Sequence, residues 1–183
     1  ESAMAVVVMG VSGCGKSSVG SELVAALAAR SRAARFVEGD EVHPQANVEK
    51  MAAGIPLDDD DRMPWLEALA DMMREVTECG LWAVTSCSAL KRAYRDTLRR
   101  RCGRGLVFAH LDVAEEVVAG RVAGREGHFM PAALVASQFE SLEALATDEV
   151  GDRRGLVVDA GGGASCAETA ESVADWLCRT VKY

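Results

Sequence analysis

At 183 residues the chain has the length of one domain with a sizeable core, and its 49% hydrophobic and 26% charged residues are ordinary for a soluble globular protein. A net charge of −8 gives no nonspecific attraction to nucleic acid or to an anionic membrane surface, so any phosphate site must be a local positive patch on an acidic body. No apolar stretch approaches the roughly eighteen residues of a membrane span, nothing resembles a signal peptide, and the six cysteines show neither a C-x-x-C pair nor zinc spacing with histidine, which points to reduced thiols in a cytoplasmic setting.

The first apolar run, residues 5–9, reads as a buried strand and leads directly into G-V-S-G-C-G-K-S at 10–17. This is a full match to the phosphate-loop pattern in the strand–turn–helix context that the pattern requires. Gly10, Gly13 and Gly15 let the backbone wrap a phosphate chain, Lys16 supplies charge for the β- and γ-phosphates, and the Ser17 hydroxyl is a ligand for Mg²⁺. A helix over 16–29 turns its positive N-terminal end to the same anion, with Val19, Leu23 and Leu27 forming its buried face. Cys14, inside the loop, reads as a small residue at a variable position or as a site of oxidative inactivation.

A second strand over 35–38 ends in Glu38-Gly39-Asp40. If Gly39 turns the chain away, Asp40 lies beside the phosphate loop, where its carboxylate can accept the proton of a hydroxyl nucleophile; Glu38 can hold a water on the metal. His43 is either a satisfied loop histidine or a donor to a sugar hydroxyl. After a helix over 45–53, Asp58 to Asp61 form an acidic run suited to a solvated loop or a helix N-terminus. Arg62 can clamp a carboxylate bidentately. A helix is expected over 64–79.

The third strand, 81–86, carries no acid at its end, and no N-K-x-D motif is present, which argues against a switch GTPase. Further helices are expected over 91–101, 114–124, 131–142 and 167–181, with strands over 106–112 and 156–159. In the last helix Val173, Trp176, Leu177 and Val181 read as core. Alternating strands and helices predict a three-layer α/β fold around a five-stranded parallel sheet, one domain over 1–183, with chemistry at the carboxyl ends of the strands. Arg121 and Arg125, near the glycine-hinged segment at 124–131, suit a mobile lid over about 122–137 that closes on the γ-phosphate.

Five stretches together resemble the gluconokinase family of the thermoresistant type, small P-loop kinases related in form to shikimate and adenylate kinases. They are 10–17, G-D-E-V-H-P with N-V-E-K-M (39–51), G-I-P-L-D-D-D-D-R-M-P-W-L (54–66), C-S-A-L-K-R-A-Y-R-D (87–96), and R-E-G-H-F-M-P with S-Q-F-E-S-L-E (125–143). The resemblance implies transfer of phosphate from ATP, with Mg²⁺, to D-gluconate. It implies nucleotide contacts from Gly10, Ser12, Gly13, Cys14, Gly15, Lys16, Ser17, Ser18 and Arg121, and catalysis by Lys16, Asp40 and Arg125. Asp40, His43, Arg62, Lys91, Arg95 and His128 are then the substrate contacts, and a homodimer is common in such a family. Departures are Glu38 where the family pattern has Asp, Ala144-Leu145 without the expected proline, and a Gly161-Gly162-Gly163 loop where adenine would pack. The competing readings are another small-molecule kinase of this shape, acting on shikimate or a nucleoside monophosphate, and a nucleotide-binding protein without catalysis.

Overall fold

The computed structural model describes residues 3–124, 132–151 and 154–180. Five strands form one sheet: β1 (Ala5–Met9), β2 (Ala34–Glu38), β3 (Trp82–Ser86), β4 (Leu106–Asp112) and β5 (Gly155–Asp159). Their order is β2-β3-β1-β4-β5 and every neighbouring pair is parallel. The helices are α1 (Lys16–Ala28), α2 (Gln45–Ala52), α3 (Asp59–Glu78), α4 (Arg92–Cys102), α5 (Glu115–Ala123), α6 (Ala132–Ser141), α7 (Thr147–Gly151) and α8 (Cys166–Thr180).

Strand β1 shows why two layers of helices are needed. All five of its residues are buried, and successive side chains point to opposite faces of the sheet. Val6 and Val8 enter a core with Leu23 and Leu27 of α1 and Val173 and Leu177 of α8. Ala5, Val7 and Met9 enter the other, with Leu66, Leu69 and Met73 of α3 and Leu98 of α4. The three-layer α/β expectation therefore holds, strand for strand. No helix among the described residues is long and apolar enough to cross a membrane.

Two local expectations are corrected. Helix α3 begins at Asp59, five residues before the expected start at Pro64. Asp58 caps it: its carboxylate accepts from the Asp61 N–H (2.8 Å), and the Asp61 carboxylate accepts from the Asp58 N–H (3.1 Å). The acidic run is thus the helix N-terminus, and Pro64 lies inside the helix. The short α7 was not expected at all. Trp176 is only partly buried against the α8 core, and Val181 lies outside the described residues.

Candidate active site

The chain leaves β1 at Gly10, whose N–H donates to the Ser88 carbonyl beyond β3 (3.3 Å). The loop then closes on α1 through Gly15, which caps the helix at φ 103°, a left-handed conformation that glycine adopts without a Cβ penalty. Lys16 folds back over the loop, its ammonium on the Val11 carbonyl at 2.9 Å. Ser12, Gly13, Gly15, Lys16, Ser17 and Ser18 line one side of a cavity of about 340 Å³. Gly10 and Cys14 are not in its wall. Cys14 is buried against Gly10, and burial pushes its thiol above the ordinary value, which leaves little of the reactive thiolate.

The cavity's other side comes from the ends of β2 and β3: Glu38, Asp40 and Ser86. A relay of hydrogen bonds sets their spacing. The Gly39 N–H donates to the Ser86 hydroxyl (3.1 Å), and that hydroxyl donates to Glu38 Oε1. The indole N–H of Trp65 on α3 donates to the Gly39 carbonyl (2.8 Å). His43 stacks on the same indole, ring centroids 4.1 Å apart. Asn47 donates to both His43 Nδ1 (3.2 Å) and the Asp61 carbonyl (2.8 Å), so Nδ1 is the acceptor and Nε2 carries the proton. Burial, opposed by Asp40 and aided by Arg62, holds the imidazole below its ordinary value of 6.5. Asn47 thus satisfies Nδ1, and Nε2 has no hydrogen-bond partner among the described residues.

Arg62 and Lys91 flank one aromatic ring. The Arg62 guanidinium lies 5.8 Å and the Lys91 ammonium 5.5 Å from the centroid of Tyr94. Lys91 also bonds Asp59 (2.9 Å), which accepts from the Tyr94 hydroxyl as well. Hydrogen bonds from Tyr94 and Lys91 hold the Asp59 carboxyl below its usual range.

Arg95 is a correction. It is fully buried, bidentate to Glu149 (2.8 and 2.9 Å), and its remaining N–H groups reach the carbonyls of Ala89, Leu90, Glu143 and Ala144. All five donors are engaged, so it cannot contact substrate. It pins instead the turn between β3 and α4, where Ala89 takes the unusual φ of 44°. Arg121 stands on α5 and bonds the carbonyls of Cys14 (3.3 Å) and Ala160 (2.9 Å), bracing the phosphate loop. Arg125 and His128 lie outside the described residues.

Sequence reasoning passed over Ser86, Trp65, Asn47, Tyr94, Asp59 and Gln138. Gln138 accepts from the Ser12 N–H (2.6 Å) and donates to the Ser12 hydroxyl (3.1 Å). All but Asn47, whose partner His43 is four residues away, work through a partner distant in sequence. For five of them the signal available was their place in the stretches at 39–66, 87–96 and 137–143; Ser86, the last residue of β3, lies outside all three. No cluster of three or more His, Cys, Asp or Glu among the described residues could hold a metal ion. Ser17 and Glu38 offer two oxygen donors to one cavity, which suits Mg²⁺, an ion that keeps waters and takes further ligands from phosphates.

Comparison with known proteins places the chain. The family model for adenylylsulphate kinase matches residues 2–126. The gluconokinase of Gluconobacter oxydans is 48% identical over 143 residues, covering 78% of this chain and 77% of that protein. The thermosensitive gluconokinase of Escherichia coli is 44% identical, covering 78% and 73%. The crystal structure of a gluconokinase from Sinorhizobium meliloti superposes with a TM-score of 0.80 at 42% identity, covering 97% of this chain and 93% of that one. The chain belongs to the family that the adenylylsulphate kinase model describes and, within it, to the gluconokinases.

Proposed function

We propose that the chain transfers the γ-phosphoryl group of ATP to D-gluconate, giving 6-phospho-D-gluconate and ADP, with Mg²⁺. The observation that carries this reading is the shared cavity, which the phosphate loop's Lys16 and Ser17 line together with Asp40, just beyond the end of β2. Catalysis of this kind is mostly positioning and charge neutralisation, and this wall supplies both.

Lys16 can leave the Val11 carbonyl for the phosphates, and the loop amides hold them in place. Ser17, with Glu38 through water, would hold Mg²⁺, which neutralises phosphate charge. Asp40 takes the proton of the attacking hydroxyl. His43 donates from Nε2 to a sugar hydroxyl. Arg62 and Lys91 set two cations against one carboxylate, Asp59, leaving one net positive charge for the substrate's carboxylate. Identity to gluconokinases supports the choice of acceptor.

The test is ADP release from Mg²⁺-ATP with D-gluconate, other aldonic acids, shikimate, AMP and adenylylsulphate as acceptors, with Asp40→Asn in parallel. We expect a rise with D-gluconate alone, cut by about 10³-fold in Asp40→Asn. A rise with another acceptor would keep the mechanism and reject the substrate. ATP binding without any acceptor-dependent rise would reject the kinase reading.

A further inference from the structure

The peptide unit joining Val11 to Ser12 is held from both edges. On one edge the Val11 carbonyl accepts from Lys16 Nζ at 2.9 Å. On the other the Ser12 N–H donates to Gln138 Oε1 at 2.6 Å, and Gln138 Nε2 returns a bond to the Ser12 hydroxyl at 3.1 Å. Gln138 belongs to α6, 126 residues further along the chain, and no other described bond ties α6 to this loop.

Ser12 lines the cavity with Lys16 and Ser17, so its N–H is among the donors that a phosphate chain meets. Position along the loop says which phosphate. Gly15 to Ser18 form the turn at the α1 N-terminus, whereas Ser12 lies at the opposite end of the loop, beside the Lys16 ammonium. A lysine in this motif serves the β- and γ-phosphates. The Ser12 N–H is therefore at the terminal end, and an amide hydrogen cannot be given fully to two acceptors. A terminal phosphate oxygen that takes it must displace Gln138 Oε1, a neutral carbonyl that is the weaker acceptor. Drawing Lys16 off Val11 frees the same peptide from its other edge.

We propose, resting on the nucleotide-binding reading above, that Gln138 is a positioning residue that competes with the terminal phosphate of a nucleoside triphosphate for the Ser12 N–H. The triphosphate releases α6 from the loop; the diphosphate leaves Gln138 in place. Whether the nucleotide carries its γ-phosphate is thereby transmitted to α6 by one side-chain amide.

The experiment is titration calorimetry of the full chain with Mg²⁺-ADP and with a non-hydrolysable Mg²⁺-ATP analogue, for the native protein, Gln138→Leu and Gln138→Glu. Leucine removes the competitor, so the triphosphate analogue should bind about fivefold tighter, the worth of one net hydrogen bond, with ADP unchanged. Glutamate still accepts from the Ser12 N–H, accepts from the Ser12 hydroxyl where the amide donated to it, and adds a negative charge, so the analogue should bind on the order of tenfold more weakly than to the native protein, with ADP affected far less. Because glutamate still bonds both Ser12 groups, it decides the matter even if the leucine variant folds poorly. Equal changes for the two nucleotides in Gln138→Glu, or a selective loss of the triphosphate in Gln138→Leu, would overturn the competition. Native protein that binds neither nucleotide would instead reject the kinase reading, and the competition with it.

Discussion

Gly39 has no room for a side chain. A Cβ there would lie 1.9 Å from the Ser86 carbonyl oxygen, a backbone atom that cannot swing aside. Its N–H is taken by the Ser86 hydroxyl and its carbonyl by the Trp65 indole. The residue that precedes Asp40 is thus fixed from β3 on one side and α3 on the other, and the carboxylate starts from a point the scaffold determines. Gly39→Ala is expected to cost about 3 kcal/mol, since β2 and β3 must separate to admit the methyl group. Turnover should fall further than stability alone explains, because any separation moves Asp40 against the phosphate loop. Urea unfolding and kcat measured on the same preparation check this, and an alanine variant with the native midpoint would refute the close approach. In the sequence, Gly39 reads as a turn glycine. Its actual constraint, the strand lying alongside, sits 47 residues away and leaves no local trace.

Among the elements, α4 and α7 show how a buried ion pair can hold a site from outside it. Glu149 on α7 is buried between Arg95 and Arg99 of α4, 2.8 and 2.7 Å away. Burial pushes its carboxyl up, but hydrogen bonds from Arg95, the Ala146 N–H and Arg99 outweigh that and hold it down at about 2. Through Arg95 the pair fastens the Ala89–Leu90 turn, and the neighbouring Ser88 carbonyl receives the first N–H of the phosphate loop. Glu149→Gln leaves the Arg95 guanidinium buried without its counter-charge and is expected to cost about 3–5 kcal/mol. Arg95→Met with Glu149→Leu should lose much less than the two single changes added together. Chemical denaturation of Arg95→Met, Glu149→Leu and their combination measures the coupling, and additive losses would show that the groups act separately. The sequence led Arg95 to the substrate because its stretch, 87–96, resembles a family block; burial, which decides its role, is a property of the packed helices. Pro64 misled in a similar way. A proline marks a favoured first helical position, but the Asp58–Asp61 capping box one turn earlier supplies stronger N-terminal bonds and starts α3 there.

The whole molecule was legible where its logic is periodic. Continuous apolar strands between amphipathic helices dictate a parallel sheet covered on both faces, and its order brings the ends of β1, β2 and β3 together beside one cavity. Lys16, Ser17 and Asp40 follow from that arrangement; Ser86 and Gln138, which act through contacts between elements, do not. The same packing gives the fold an acid response in two separate windows. Burial lowers His43 at the cavity and His110 on β4, against the raising influence of Asp40 on the first and Asp112 on the second. With native values below 6.5, the unfolded chain binds more protons than the native one as pH falls past that point, so stability is lost on acidification from there. The carboxylates held low, Glu149 foremost, contribute stability that persists above their ordinary value of 4.5 and disappears only as pH falls from there toward 2. Melting temperature should therefore begin to fall as pH drops through about 6.5 and fall again below about 4.5. Replacing both histidines by glutamine should flatten the first step and leave the second; Glu149→Gln should weaken the second and leave the first. A first step that survives the loss of both histidines would place that acid sensitivity in other groups.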